Sequence, residues 1–162
     1  MAEGSTGAGA RIYIGTAANS TADDESAYAA LSYTEIGSVE SISEFGDSAQ
    51  SVTYMTLADG RVKKSKGGKD AGDVTITCIH DPLNAGQNAM IAAEGTNFEY
   101  PFKVVLADAA DANDTDSTFY YRARVMSKRL NPGDNNTVIK RTFVTGIVSE
   151  PVEVLSEAVS GP

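Results

Sequence analysis

The sequence predicts a mainly β domain of six to eight strands: a β-sandwich or small barrel with one covering α-helix, an extended hairpin arm and extended termini. Two stretches carry most of that expectation. Residues 72–80 alternate Val74, Ile76, Cys78 and His80 with Thr75, Thr77 and Ile79, the period of a strand with one face in a core. Residues 97–106 repeat the pattern with Phe98, Tyr100, Phe102, Val104 and Leu106. Between them, Asp81 stands where a helix N-cap belongs and Pro82 where the first helical residue needs no N–H. Leu83, Gln87, Met90 and Ile91 then share one face, so a helix running to Glu94 is expected to lie across a sheet.

The other elements follow in chain order. Residues 1–10, made largely of Gly, Ala, Ser and Thr, read as a flexible arm ahead of a single domain over 11–148. Residues 11–16 form the first strand through Ile12 and Ile14, and 18–25 read as a polar loop. Residues 34–43 read as a second strand interrupted or bulged at Gly37. Residues 48–72 form the hairpin arm, turning at Asp59-Gly60, with Tyr54 and Leu57 on the outgoing limb and Val62 the one apolar residue on the return. A ribbon with so little to bury is expected to order only against a neighbouring subunit.

Beyond the helix, Pro101 removes a ladder donor, which places its strand at an edge or at a bulge. Residues 108–117 read as an acidic loop. In 118–127, Phe119, Tyr121, Ala123 and Val125 alternate against Tyr120, Arg122, Arg124 and Met126. Residues 128–136 hold the turn Asn131-Pro132-Gly133-Asp134, 137–148 the last long strand, and 149–162 a tail that is either a docking strand or a free arm.

Charge is distributed unevenly. The net charge is −9, yet residues 61–69 hold Arg61, Lys63, Lys64, Lys66 and Lys69 with no acid, leaving eight cations against 22 acids elsewhere. A basic arm on an acidic body suits self-association; a solvated hairpin whose lysines guard an exposed edge is the plainer alternative. No apolar run approaches the roughly 18 residues of a bilayer span. The N-terminal residues lack the basic and apolar regions of a signal peptide, so synthesis in the cytoplasm is expected.

Catalytic and metal chemistry find little to use. Cys78 is the single cysteine and His80 the single histidine, which excludes an internal disulfide and a multi-cysteine metal site. No G-x-S-x-G elbow occurs, and neither a cofactor nor an enzymatic activity is expected. Gly67-Gly68-Lys69-Asp70 fails the phosphate-loop pattern, with Lys63 where a glycine is needed and Asp70 where Ser or Thr is needed. The loop of Asp108, Asp111, Asn113, Asp114 and Asp116 has Arg122 where an EF-hand needs glutamate, so it reads as an exposed hairpin. Nucleic-acid binding is disfavoured by a pI of about 4.5 and by the lack of aromatics among the cations of residues 61–69.

The order of features from Leu57 to Leu83, an ADGR turn, a lysine- and glycine-rich arm, GDVTIT, then DP opening a helix, resembles the tail tube proteins of lambda-like siphophages, which have long non-contractile tails. The resemblance continues through 97–106, 118–127 and 137–148. It implies a structural virion protein of the phage tail, a β-sandwich or barrel that closes with five neighbours into a hexameric ring. The rings stack into a hollow tube through which DNA passes without specific binding. It further implies a tape measure protein, a tail tip or initiator complex and a tail terminator as partners, no membrane anchoring, and the helix on the outside. Asp59, Arg61, Lys63, Lys64, Lys66, Lys69, Tyr54 and Leu57 are then the expected inter-subunit contacts. Some members carry an extra C-terminal immunoglobulin-like domain, which the sequence through Pro162 does not contain. The alternative from another class is a monomeric β-sandwich module that binds a ligand or carbohydrate.

Overall fold

One antiparallel sheet carries most of the chain, and its two edge strands are neighbours in sequence. The computed structural model describes residues 4–158; the first three residues of the expected N-terminal arm and the last four of the tail lie outside them. The elements are β1 Arg11–Gly15, α1 Glu25–Ala29, β2 Tyr33–Ile36, β3 Val39–Ile42, β4 Ser48–Met55, β5 Val62–Asp70, β6 Asp73–Ile79, α2 Ala85–Glu94, β7 Tyr100–Val105, β8 Thr118–Asn131, β9 Lys140–Ile147 and β10 Val152–Val154. The sheet order is β2-β1-β7-β8-β9-β6-β3, with β10 paired to β8, while β4 and β5 form a separate ribbon. Strands β2 and β3 occupy opposite edges yet are joined by Gly37 and Ser38 alone, so the sheet must curl until its edges meet. The curled sheet encloses Ile12, Ile14, Val74, Ile76, Phe102 and Phe143, all fully or almost fully buried.

Closure of this seam depends on the start of α2. The Gln87 side chain, 1% exposed, donates to the carbonyls of Gly37 (3.0 Å) and Ile79 (2.9 Å) and accepts from the Asp81 N–H (3.1 Å). One amide thereby satisfies backbone groups from the β2–β3 link, the end of β6 and the approach to the helix. Asn84 adds a fourth tie, its Oδ1 accepting from the Gly37 N–H at 3.2 Å. Gly86 is required by proximity: a Cβ there would overlap the Glu35 carbonyl of β2. The link itself is tight, with Ser38 at φ 58° and its carbonyl accepting from the Ile79 N–H.

The helix begins later than expected. Asn84, not Asp81, is the N-cap, accepting from the Gln87 N–H at 2.9 Å, while Asp81 caps a preceding turn through the Leu83 N–H. Leu83 is therefore 90% exposed, and the packed face is Gly86, Gln87, Met90 and Ala93. Both residues are good caps in isolation, and Asn84 prevails because its side chain also binds the seam.

Other departures have similar tertiary causes. Residues 18–25 are not simply a polar loop: Asp24 caps the short helix α1 through the Ala27 N–H (2.8 Å). That helix delivers Tyr28, fully buried, onto Tyr120 in a stacked pair with centroids 5.3 Å apart. The expected strand over 34–43 divides at Gly37 into β2 and β3, which pair with β1 and β6 respectively. Phe98 lies ahead of β7 and is 46% exposed. Strand β7 is neither an edge nor bulged at Pro101, because it sits between β1 and β8. The β1 ladder ends at Ile14 opposite Phe102, and Gly15, lacking a side chain, leaves room for the proline ring. Strand β8 continues to Asn131 before turning, and part of the tail docks as β10.

Replacing Gln87 with Leu should leave these three backbone groups without partners. The expected loss is about 2–4 kcal/mol, read as a lower urea midpoint at unchanged slope.

Candidate assembly interface

The reactive side chains are built into the structure. Cys78 is fully buried, and burial pushes its thiol up to about 11. His80 follows the end of β6, and its backbone N–H donates to the Ile139 carbonyl while the ring Nδ1 is buried. In the acidic loop, Asp108 accepts from the Ser117 hydroxyl (2.7 Å) and N–H (2.8 Å), which holds its carboxyl below the ordinary value. Among the described residues, no group of three or more His, Cys, Asp or Glu side chains is placed to hold a metal ion.

The arm has a different character. Strands β4 and β5 pair Ser48 with Asp70 through to Met55 with Val62, with a register shift between Ala49 and Ser51. Across this ladder Thr53 faces Lys64, Tyr54 faces Lys63, and Ser51 faces Lys66. The turn is longer than two residues: the Thr56 carbonyl accepts from the N–H groups of Asp59 and Gly60, and Gly60 adopts φ 60°. That left-handed conformation is the reason for glycine at this position. Lys63 pairs with Asp59 at 2.7 Å. Arg61, Lys64, Lys66 and Lys69 are exposed and make no ion pair among the described residues.

Apolar groups on the ribbon are equally open to solvent. Tyr54 and Val52 are each 51% exposed, Met55 61%, Val62 58% and Leu57 fully exposed. The expected contact residues Tyr54 and Leu57 thus sit on one ribbon with the five cations. Met55 and Val62 add to that surface. Their signal in the sequence was apolar residues in a segment with no core to enter. An exposed apolar and cationic ribbon is unusual on a monomer and suited to a partner.

A closed β domain that projects such a ribbon has the build of an assembly subunit. The chain belongs to the phage tail tube protein family: the family profile described as "Phage tail tube protein, TTP" matches residues 19–151. Solved structures agree in fold. The SPP1 tail tube protein is 14% identical over 94% of this chain and 78% of its own, with a TM-score of 0.58. A chain of the anti-feeding prophage baseplate is 10% identical over 96% of this chain and 98% of its own, with a TM-score of 0.65. A chain of the sheath-tube complex of the PVC extracellular contractile injection system is 14% identical over 93% and 88%, with a TM-score of 0.62. Comparison with curated proteins finds no match. The role of the protein is structural, that of a tube-forming subunit.

Two measurements probe the chemistry of the subunit. Cys78 should resist alkylation at pH 8 in the folded subunit and react once urea unfolds it, read by mass spectrometry. Because the Asp108 carboxyl is depressed, its contribution is present above the unfolded value of about 4 and lost as pH falls through the lower folded value. Exchange protection of the Ser117 amide should therefore fall in acid, and Asp108→Asn should remove that pH dependence.

Proposed function

We propose that copies of this chain form hexameric rings that stack into the hollow tube of a phage tail. DNA crosses the lumen of this tube without specific binding. The observation that carries the reading is the β4–β5 ribbon, which exposes Tyr54, Leu57, Arg61, Lys63, Lys64, Lys66 and Lys69 on an otherwise acidic protein. Asp59 fixes the turn end of the ribbon through Lys63. Head-to-tail contact between unlike surfaces generates an open filament, as a tube requires. Among the described residues the ribbon pairs with no strand of the main sheet, so it orders fully only when a neighbour covers it.

The net charge of −9 serves the lumen. A basic wall would retain phosphates by counterion release, whereas an acidic wall repels them and allows passage. The protein has no active site in this reading, and α2 faces the exterior. Its partners are further copies of itself, a tape measure protein that sets length, a tip or initiator complex and a terminator. It acts in the virion tail after synthesis in the host cytoplasm.

Negative-stain electron microscopy over a range of protein and salt concentrations, with and without added tail tips, tests this. Rings or tubes with a central channel are expected. Lys63→Glu combined with Lys64→Glu should abolish tubes at unchanged melting temperature. Normal tubes from that variant would remove the arm from the assembly mechanism, and a wild-type protein that stays monomeric with tips present would overturn the reading.

A further inference from the structure

The two faces of the β4–β5 ribbon carry different chemistry, and a bulge sets the difference. Partners across an antiparallel ladder share a face, so Lys64 stands beside Thr53 and Lys66 beside Ser51 on one side, while Lys63, Tyr54 and Val52 lie on the other. An unbroken ladder would put Lys69, three residues after Lys66, on the side of Lys63. The register shift between Ala49 and Ser51 instead sets Gly67 and Gly68 opposite Gln50 alone. This one extra residue returns Lys69, paired with Ala49, to the side of Lys64 and Lys66. All three lysines then border one recess with Ala49 and Ser51, and Asp47 is the one acid on its wall.

The result is a row of cations with a regular step. Successive positions on one face of a strand are about 7 Å apart, so Lys64, Lys66 and Lys69 repeat at roughly that interval. All three are exposed, and none forms an ion pair among the described residues. Their cross-strand partners Thr53, Ser51 and Ala49 are small, which leaves a lane open beside the ammonium groups. The hydroxyls of Thr53 and Ser51 add donors for an anionic oxygen along that lane.

We infer that this face of the ribbon binds the sugar–phosphate backbone of a single nucleic-acid strand, whatever its bases. The step of the row matches that between successive phosphates of an extended strand, and a lysine meets a phosphate as a point charge that selects no base. Residues 61–69 hold no aromatic, so bases have nothing to stack on. The net charge of −9 keeps the contact weak and readily released. An acidic segment of a second copy fits the row less well. Nowhere does the sequence place three acids at successive alternate positions, the spacing with which an extended segment would meet all three lysines. The contact belongs to the single subunit and does not depend on the stacking proposed above.

Fluorescence anisotropy of a short labelled oligothymidylate, titrated with the full chain over a salt series, tests the site. Binding is expected, with a slope of about −2 in log affinity against log salt, as for three neutralised phosphates on a single strand. Lys64→Gln, Lys66→Gln and Lys69→Gln together should lower the affinity about tenfold or more at unchanged melting temperature, whereas Lys63→Gln, on the other face, should change it less than about twofold. Deleting Gly68 restores an unbroken ladder and turns Lys69 away, so the slope should fall by about one third. No binding at low salt would overturn the inference, as would a loss in Lys63→Gln equal to that in the triple variant. Displacement by polyglutamate as effective as by unlabelled oligonucleotide would also overturn it and make the face a site for an acidic polypeptide. The tube reading is judged by rings and tubes in the microscope and survives each of these results.

Discussion

The structure depends on the closure of one seam. A seven-strand path that begins at β2 and ends at β3 could lie open, and a two-residue connection between its edges forbids it. That connection is half-buried at Gly37, where helix α2 covers its backbone N–H and carbonyl and water cannot readily replace a lost partner. Gln87 and Asn84 take them up from a single helical turn, and the absent side chain of Gly86 lets that turn approach β2 closely enough to do so. Helix α2 is thus less a lid over apolar residues than the fastening of the barrel-like sheet, with Met90 and Ala93 adding the packing below it.

The strands that alternate cleanly were legible in the sequence. Val74, Ile76 and Cys78 are all buried, as are Phe102, Val104, Tyr121 and Ala123, because a half-buried strand imposes its period locally. The hairpin arm was legible for the opposite reason: a lysine-rich stretch between Asp59-Gly60 and Gly72 has no core to enter. What escaped was decided at a distance. Asn84 rather than Asp81 starts the helix because Gly37, 47 residues earlier, needs an acceptor. Helix α1 forms because Tyr28 finds Tyr120 across the fold, and no apolar period in five residues could announce it. Pro101 is tolerated inside the sheet because β1 happens to present Gly15 there. In each case one residue's fate hangs on a partner far along the chain.

Charge follows the architecture. The body carries most of the acids, the β4–β5 and β8–β9 hairpins carry much of the basic charge, and those hairpins spring from opposite ends of β6. Basic charge is thus concentrated at both ends of a body that is acidic elsewhere.

The seam also orders events in time. Strand β1 pairs with β7, so Ile12 waits for Val104; β3 and β2 reach their places only when β6 and β1 are in place to receive them. Pairings so remote in sequence form slowly, because the entropy of closing long loops opposes them until several contacts act together. The Gln87 fastening involves both edges of the sheet and so belongs among the last steps. A chain still short of it lacks the ties that hold the β2–β3 link to β6 and α2, so its sheet is free to open and expose apolar interior to other chains. Fastening the seam is thus what separates a subunit that keeps its interior to itself from a chain that would share it with others.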